Sequence, residues 1–385
     1  MTVPCSRRRW ISSVSAAAAY AAVRPMFASV AYAPTAPVAI ARCPDYGSQL
    51  LPTMDRMFDQ LGGLSRIVAN KTVAIKVNLT GSPSQRLGHT PAGSAHWTNP
   101  AVIGSAVYLM GRAGAKRVRI LESPWSTAEP VQEYMMEAGW EVGDLAKAAP
   151  RVEFENTNYL GDARQYSRFK VPNGGYMFRS FLLNHSYEDC DVFVSIAKLK
   201  EHATAGVTLS MKNCFGITPC TIYGDGAGID GPSLVPSGGR GSVLHAGDRQ
   251  PSRVADAENS GSPREANYRV PRIVADLVAA RPIHLAIIDG VETMTGGEGP
   301  WIRGCRAVRP GLLIAGTNCV TTDAVATALM GFDPMAERGT PPFEHRDSTL
   351  QLAEANGVGT RDLKRVEVIG GKIADLRFPF RSYKA

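Results

Sequence analysis

The stretch of sequence that decides the fold is Ser195-Ile-Ala-Lys-Leu-Lys-Glu-His-Ala-Thr-Ala-Gly-Val-Thr-Leu-Ser-Met-Lys-Asn-Cys-Phe-Gly216. It continues an apolar run at residues 192–194, and its first half carries a basic residue at every second position. Because successive side chains of a β-strand point to opposite faces, this alternation turns Lys198, Lys200 and His202 toward one side. We therefore predict a strand that ends in three donors, at the place where α/β proteins carry their sites.

The second half of the same stretch predicts a helix over residues 205–215. Its apolar stripe is Val207, Met211, Cys214 and Phe215, and its polar stripe is Thr204, Thr208 and Lys212. A strand end and the positive end of a helix then face one volume, which favours an anion or cofactor site. The simpler alternative is that the lysines extend into solvent and that His202 is a cap or a surface residue.

Strand-like and helix-like periodicities alternate along the chain, which predicts an α/β fold with a mostly parallel sheet flanked by helices. The predicted strands are residues 72–79, 117–121, 152–154, 191–197, 284–288, 312–315 and 366–369. The other predicted helices are residues 99–112, 130–138, 271–280 and 323–330. Residues 217–266 are rich in Gly, Ser, Pro and Asp and show no sustained period, so we predict a long irregular insertion or lid there.

Polar residues follow the predicted strands at the points where the strands end. Since parallel strands end along one edge, we expect a cleft there that suits a small anionic substrate and proton transfer. The candidate catalytic residues are His202, Glu122 and Asp289. The candidate substrate- or cofactor-binding residues are Lys76, Asn78, Lys198, Lys200, Thr208, Lys212, Asn213 and Glu298. Thr317 and Asn318 are expected at the same edge.

Two glycine-rich segments are predicted to form the rim of this cleft. Thr295-Gly-Gly-Glu-Gly-Pro300 carries Glu298, and its glycines permit close approach of a ligand or only a tight turn. Residues 223–231 have glycine spacing similar to that of a dinucleotide loop. They lack the strand before and the helix after that such a loop requires, so we do not predict a nucleotide site there.

The first 33 residues are predicted to be a twin-arginine export signal. Ser6-Arg7-Arg8-Arg9-Trp10-Ile11 supplies the arginines, residues 11–23 form a short alanine-rich stretch, and Ala31-Tyr32-Ala33 is a cleavage site. The alternative is a basic N-terminal tail. No stretch has the roughly 18 apolar residues that a membrane span requires. We expect residues 34–385 to form the mature α/β domain, which the twin-arginine machinery exports to the periplasm or secretes.

Composition limits the partners and cofactors. The formal charge falls from +7 to +3 when the four arginines of the signal leave, which does not predict nucleic-acid binding. The six later cysteines form no C-x-x-C pair and no close cluster with histidine, so their spacing supports neither zinc nor an iron–sulfur cluster. Cys214 and Cys220 are the nearest pair, and both a disulfide and two buried thiols stay open.

Several ordered motifs resemble the bacterial and archaeal family called domain of unknown function 362, over residues 72–334. The motifs are Lys76-Val-Asn78, Thr98-Asn-Pro100, Ala197-Lys-Leu-Lys-Glu-His202, Met211-Lys-Asn213 with Gly216, Asp289-Gly290 with Gly296-Gly297, and Asp323-Ala-Val-Ala. The resemblance implies no particular reaction. Many members carry a ferredoxin-type cysteine run that this chain lacks, so the resemblance does not imply electron transfer here.

A shorter stretch is similar to the nickel-pincer lactate racemases. His202-Ala-Thr-Ala-Gly206-Val-Thr208-Leu-Ser-Met-Lys212, with Gly216 beyond, resembles their His…Ala-Gly-x-Thr…Lys…Gly segment. The resemblance implies proton transfer at His202 and a cofactor held covalently at Lys212. Leu209-Ser210-Met211 departs from the glycine-rich part of that pattern, and no further nickel-binding histidine is identified.

Together these observations predict an exported enzyme that acts on a small hydroxy- or carboxylate-bearing anion, in the manner of an isomerase or racemase or with a cofactor. His202 would transfer protons, and Lys198, Lys200 and Lys212 would hold anionic groups or a cofactor. Two alternatives stay open. One is a periplasmic protein that binds a ligand or cofactor without turnover, and the other is a protein whose histidine and carboxylates hold a structural metal.

Overall fold

The computed structural model describes residues 33–125, 127–227, 236, 238–251 and 261–382. The predicted export signal therefore lies outside the described residues, apart from Ala33. Within the predicted insertion, residues 228–235, 237 and 252–260 also lie outside them.

The secondary structure alternates between strands and helices along most of the chain. The strands are β1 (Val38–Arg42), β2 (Thr72–Lys76), β3 (Arg117–Glu122), β4 (Val152–Asn156), β5 (Ser167–Lys170), β6 (Ser180–Leu183), β7 (Val192–Lys198), β8 (Glu201–His202), β9 (Gly206–Val207), β10 (Leu285–Gly290), β11 (Thr293–Thr295), β12 (Arg306–Val308), β13 (Leu312–Gly316) and β14 (Val368–Ile369). The helices are α1 (Leu50–Gln60), α2 (Ser65–Val68), α3 (Ala92–Ala95), α4 (Pro100–Arg112), α5 (Val131–Glu137), α6 (Val142–Lys147), α7 (Leu209–Asn213), α8 (Cys220–Tyr223), α9 (Ala266–Ala280), α10 (Cys319–Leu329), α11 (Thr349–Ala355) and α12 (Ile373–Leu376).

The centre of the molecule is an eight-stranded sheet in the order β14-β1-β13-β10-β7-β2-β3-β4. Its neighbouring strands are parallel, except that β13 is antiparallel to both β1 and β10. β7 and β10 are buried along their whole length, as strands covered on both faces must be. The predicted α/β class with a mostly parallel sheet is confirmed.

Helices cover both faces of this sheet and create two hydrophobic cores. One core joins α1 and α4 to the sheet through side chains such as Met54 and Val107. The other joins α9 and α10 to the opposite face through side chains such as Val274 and Val325. α4 begins as the sequence predicts, because the side chain of Asn99 accepts a hydrogen bond from the Ala101 N–H and Pro100 occupies the first turn.

The helix predicted over residues 205–215 is wrong in its first half. β8 and β9 form a short antiparallel hairpin there, and the helix α7 begins only at Leu209. The hairpin needs a left-handed backbone at Gly206, whose φ is 78°, and a Cβ atom there would meet the ring of Phe343. After Asn213 the chain continues as a 3₁₀ turn over Cys214–Ile217.

The predicted position of Thr317 and Asn318 at the same strand edge as Lys200 is also wrong. They follow β13, which runs opposite to its neighbours, so they lie at the other edge of the sheet. There the side chain of Asn318 accepts hydrogen bonds from the Val320 and Thr321 N–H groups and caps α10.

The described part of the predicted insertion contains regular structure. α8 and a π-helical turn over Gly241–Ala246 lie within it, and α9 begins earlier than the sequence predicts and includes Pro271. Buried side chains such as Tyr223 and Leu244 attach these parts to the core.

Candidate functional site

A small cavity lies where β2, β3 and β7 end. Nine of the eleven predicted site residues line it, and they come from well-separated parts of the chain. The nine are Lys76, Asn78, Glu122, Lys200, His202, Thr208, Lys212, Asn213 and Glu298. Arg240, which sequence reasoning missed, lines it as well. Four lysine or arginine side chains thus face two carboxylates, which leaves a positive charge for an anion to balance.

Lys76 and Glu122 form a buried ion pair in the wall of the cavity. Nζ of Lys76 lies 2.7 Å from Oε1 of Glu122, and it also donates to the carbonyl oxygen of Val77 and to Oδ1 of Asn213. The Leu79 N–H donates to Oε2 of Glu122. Burial lowers the pKa of Lys76, and Glu122 opposes that shift. Both charges are therefore held by the protein itself, and a Cβ atom at Gly216 would crowd them at 3.0 to 3.2 Å.

Asn78 presents an acceptor that the described residues leave unused. Its Nδ2 donates to Oδ1 of Asn213, whose own Nδ2 donates to Oγ of Ser195 and to backbone oxygens of β2 and β7. These contacts fix which end of each amide is oxygen. Oδ1 of Asn78 is then buried without a hydrogen-bond donor among the described residues, and the residue is only 6% exposed. A ligand with an O–H or N–H group would satisfy it.

Lys200 joins the cavity to the glycine-rich rim. Its Nζ donates to the carbonyl oxygens of His96 and Glu298, at 2.6 and 2.8 Å. Burial lowers the pKa of Lys200 well below its ordinary value, and the nearby Glu298 charge opposes the shift. The carboxylate of Glu298 accepts hydrogen bonds from the Ala203 N–H and from the Trp301 indole, so it holds the rim against the β8–β9 hairpin.

Lys212 differs from the other lysines of the site because its amine lacks an oxygen partner. Nζ lies 4.2 Å from the centre of the Phe215 ring, and no oxygen atom of the described residues accepts a hydrogen bond from it. Burial lowers the pKa of Lys212 to about 7, and the Glu298 charge opposes this while Arg240 and Lys76 add to it. This amine therefore holds its proton less tightly than an ordinary lysine does.

His202 and His245 have opposite neutral tautomers, and backbone groups fix both. The Thr204 N–H donates to Nδ1 of His202, so the ring proton of His202 is on Nε2. Nδ1 of His245 faces the carbonyl oxygen of Arg240, which only accepts, so His245 carries its proton on Nδ1 and has a free lone pair on Nε2. Burial lowers the pKa of both rings, that of His245 to about 4. His202 therefore offers the cavity a donor.

Arg240 reaches the cavity from the π-helical side of the insertion. Its guanidinium donates to the carbonyl oxygens of Thr218 and Ser123, and the residue is buried. No periodicity predicts this contact, because residue 240 lies in a glycine-rich segment far along the chain from Ser123. The same segment brings His245 against the ring of Phe215, with 5.2 Å between the ring centres.

Lys198 and Asp289 are at the same sheet edge but outside this cavity, which corrects their predicted position in the cleft. Nζ of Lys198 lies 2.8 Å from Oδ2 of Asp289, and both side chains are fully buried. The Tyr46 hydroxyl and the Asn99 N–H also donate to this carboxylate. β7 and β10 are neighbouring parallel strands that place residues 198 and 289 side by side, so their charges pair with each other.

Cysteines and metal ligands add little to this site. The described cysteines are free thiols, and Cys214 and Cys220 are buried. Among the described residues, no group of three or more His, Cys, Asp or Glu side chains is placed to hold a metal ion. In the same part of the chain, no helix has the length and apolar character needed to cross a membrane.

The nickel-pincer resemblance fits the residues only in part. The amine of Lys212, which has no oxygen partner among the described residues, fits a covalent attachment point. His202 does not fit the role of proton acceptor that the resemblance implies, because its Nδ1 lone pair accepts the Thr204 N–H and its Nε2 carries the proton. We therefore derive no chemical step through such a cofactor.

Comparisons with known proteins identify a matching family model, a relative and a solved structure to which the chain is similar. The family model described as Domain of unknown function (DUF362) matches residues 73–328. The thylakoid-associated protein sll1697 of Synechocystis is 27% identical over 184 residues, which are 47% of this chain. The chain spans half the length of that relative. A crystal structure of a protein from Thermotoga maritima has a TM-score of 0.31 and 12% identity, and the match covers 62% of this chain and 51% of that protein.

Proposed function

The chain belongs to the DUF362 family, and we propose that it is an enzyme that acts on a small anionic molecule in the cavity at the ends of β2, β3 and β7. The observation that carries this proposal is the unpaired amine of Lys212 in a cavity whose cations outnumber its carboxylates. An excess of cationic side chains around a cavity attracts an anion, and a bound anion favours their protonated forms. A small carboxylate supplies that charge.

Donors for such an anion remain after the internal contacts are counted. Lys200 uses two of its three N–H groups on carbonyl oxygens, and Lys212 donates to no oxygen of the described residues. His202 adds its Nε2–H group. Lys76, in contrast, already donates to three oxygen atoms. The anion would therefore bind on the side of the cavity formed by Lys200, His202 and Lys212.

The ligand would also carry a hydrogen-bond donor. Oδ1 of Asn78 is a buried acceptor in the same cavity, and a hydroxyl group of the ligand would satisfy it. A hydroxy acid has both features, the carboxylate and the hydroxyl group. This supports a small hydroxy- or carboxylate-bearing molecule as the substrate class.

Proton transfer would use Lys212 in preference to His202. A general base needs a free lone pair near the operating pH, and the amine of Lys212, with a pKa of about 7, has one. The Nδ1 lone pair of His202 is held by a backbone N–H, so His202 would orient and stabilise the anion as a donor.

The test is a panel of small hydroxy and oxo carboxylates, with affinity measured by calorimetry and hydrogen exchange at the carbon next to the carboxylate measured by NMR in D₂O. We expect binding of at least one acid and exchange that requires Lys212. Binding without exchange or any other turnover would show the alternative, a ligand-binding protein. No binding of any acid, with wild-type protein that is folded, would contradict the proposed site.

We propose in addition that the chain is exported by the twin-arginine route and works in the periplasm or outside the cell. The support is the order of paired arginines, alanine-rich stretch and Ala31-Tyr32-Ala33 in the sequence. Replacing Arg7 and Arg8 by lysine should block export, and N-terminal sequencing of exported protein should begin at Pro34. Finding periplasmic protein with an intact N-terminus would contradict the proposed cleavable export signal.

A further inference from the structure

We propose that Lys212 is a nucleophilic amine that forms an imine with a small oxo acid, a molecule with a carbonyl group beside its carboxylate. This inference rests on the proposed function, since it uses the same cavity and the same positive charge. It narrows the substrate class and assigns Lys212 a covalent reaction with the substrate itself.

The first support is a comparison of the four lysines at this end of the sheet. Nζ of Lys76 and Nζ of Lys198 each donate to three oxygen atoms, and Nζ of Lys200 donates to two. Nζ of Lys212 lies over the face of the Phe215 ring, and no oxygen of the described residues accepts a hydrogen bond from it. An ammonium held by several oxygens stays protonated and unreactive, whereas an amine free of them keeps its lone pair available.

The second support is the electrostatic setting of that amine. Burial disfavours the charged form of Lys212, and the neighbouring cations Arg240 and Lys76 act in the same direction. Desolvation and a second cation are the two features that activate lysines toward carbonyl compounds. Glu298 acts in the opposite direction, but the described partners of its carboxylate are the Ala203 N–H and the Trp301 indole.

The reaction balances without an oxidant or reductant. The lone pair of the neutral Lys212 amine attacks the carbonyl carbon, a C–N bond forms as the C=O π bond breaks, and one amine proton passes to the carbonyl oxygen. The resulting carbinolamine loses its hydroxyl group together with the remaining proton on nitrogen as water, which leaves a C=N bond. Lys200 and His202 would hold the carboxylate, so an uncharged carbonyl compound should react poorly.

The experiment uses pyruvate as the probe and sodium cyanoborohydride, which delivers hydride to the imine and makes the adduct permanent. Intact mass and peptide mapping then locate the modified residue in the full-length protein. We expect a single adduct on Lys212. Acetone, which has the carbonyl group without the carboxylate, should give at least tenfold less adduct, because about 1.4 kcal/mol of anion binding already accounts for that factor.

Two variants make the result decisive. Lys212→Arg keeps the positive charge and should bind pyruvate in calorimetry without forming an adduct. Lys116→Arg changes an exposed lysine and should leave the adduct unchanged. Pyruvate binding to wild-type protein without an adduct on Lys212, or labelling spread equally over surface lysines, would overturn the imine while leaving the proposed function intact. Failure of every acid in the panel to bind would contradict the proposed function itself.

Discussion

Lys198 and Lys212 lie at the same end of the sheet, and both were expected to hold anionic groups, but their surroundings differ. Lys198 donates to Asp289, to Tyr46 and to the carbonyl oxygen of Gly93. Lys212 faces a cavity and an aromatic ring, with no oxygen acceptor among the described residues. The first lysine is part of the internal packing of the sheet, and the second leaves its charge to be balanced by something that binds.

Residue type and strand position therefore identify a polar edge of the sheet. They do not identify which of the charged side chains at that edge pair with other side chains and which remain available to a ligand. A lysine whose neighbour on the adjacent strand is a carboxylate becomes structural. A lysine in the following helix α7, without such a neighbour among the described residues, becomes available for chemistry. The comparison predicts opposite effects of substitution on stability and on binding.

The largest effect is expected from Asp289→Asn. This change leaves the Lys198 ammonium buried without its counter-charge, and breaking a buried ion pair in this way costs about 3–5 kcal/mol. The measurement is the free energy of unfolding in a denaturant titration. The double variant Lys198→Met with Asp289→Asn should recover part of the loss, because no unpaired charge remains. A single variant as stable as wild type would show that the pair has no structural role.

The next effect concerns ligand binding and the side chain of Lys212. Lys212→Met should fold with at least wild-type stability, since it removes a partly buried amine that has no oxygen partner among the described residues. It should bind small carboxylates about 10- to 100-fold more weakly, in line with the loss of a charged hydrogen bond. Calorimetry measures the affinity, and Lys116→Met, at an exposed position, is the matched control. An unchanged affinity in Lys212→Met would show that Lys212 does not bind the carboxylate, and would contradict the proposed difference between Lys212 and Lys198.

A smaller effect is the pH dependence of anion affinity. Holding a carboxylate requires the protonated form of Lys212, whose pKa is about 7 in the folded protein. Affinity should therefore be constant below pH 7 and fall as the pH rises above it. Lys212→Met should weaken this dependence and leave only the contribution of Lys200, whose pKa is also lowered by burial. Affinity that stays flat from pH 6 to pH 9 in the wild type, at about constant ionic strength, would contradict this role of Lys212.

Stability should depend on pH through the same group with the opposite sign. The pKa of Lys212 is lowered on folding from 10.5 to about 7, so the unfolded chain binds more protons between these values. The free energy of unfolding of wild-type protein, relative to Lys212→Met, should therefore rise as the pH increases from 7 to 10.5. A relative stability that falls over this range would indicate that Lys212 has a carboxylate partner.

The smallest effect is spectroscopic and concerns the two histidines. Nitrogen chemical shifts of labelled protein should show His202 protonated on Nε2 and His245 protonated on Nδ1. The assignment is checked with His202→Gln and His245→Gln, each of which should remove one set of signals. The reverse tautomer at His202 would restore it as a candidate base.

Much of the fold could be predicted because its signals are local. Apolar runs and helix caps, such as Asn99 before Pro100, identify the strands and helices around the site. Two errors came from interactions between distant segments. The direction of β13 depends on its pairing with β1 and β10, and the β8–β9 hairpin depends on a left-handed Gly206 packed against Phe343.

For the polar residues of the site, the sequence predicts that they lie at one edge of the sheet but not which of them pair with each other. Lys76, Glu122 and Lys212 each follow a recognisable strand or helix signal, and the structure brings them to one cavity. The internal ion pairs depend on the distances between neighbouring strands. A single sequence does not give those distances. Arg240 and His245 could not be found at all, because the glycine-rich segment that carries them shows no periodicity.

Whether Lys212 carries the unpaired charge of a binding site is tested most directly by the pKa of its amine, measured by NMR titration of protein with ¹³C-labelled lysine and assigned with Lys212→Arg. We expect a midpoint of about 7 in the free protein, well below the ordinary value of 10.5, and an upward shift when a small carboxylate binds. An amine that titrates near 10.5 with and without carboxylates would contradict it, because Lys212 would then be an ordinary solvated lysine rather than the unpaired charge of a binding site.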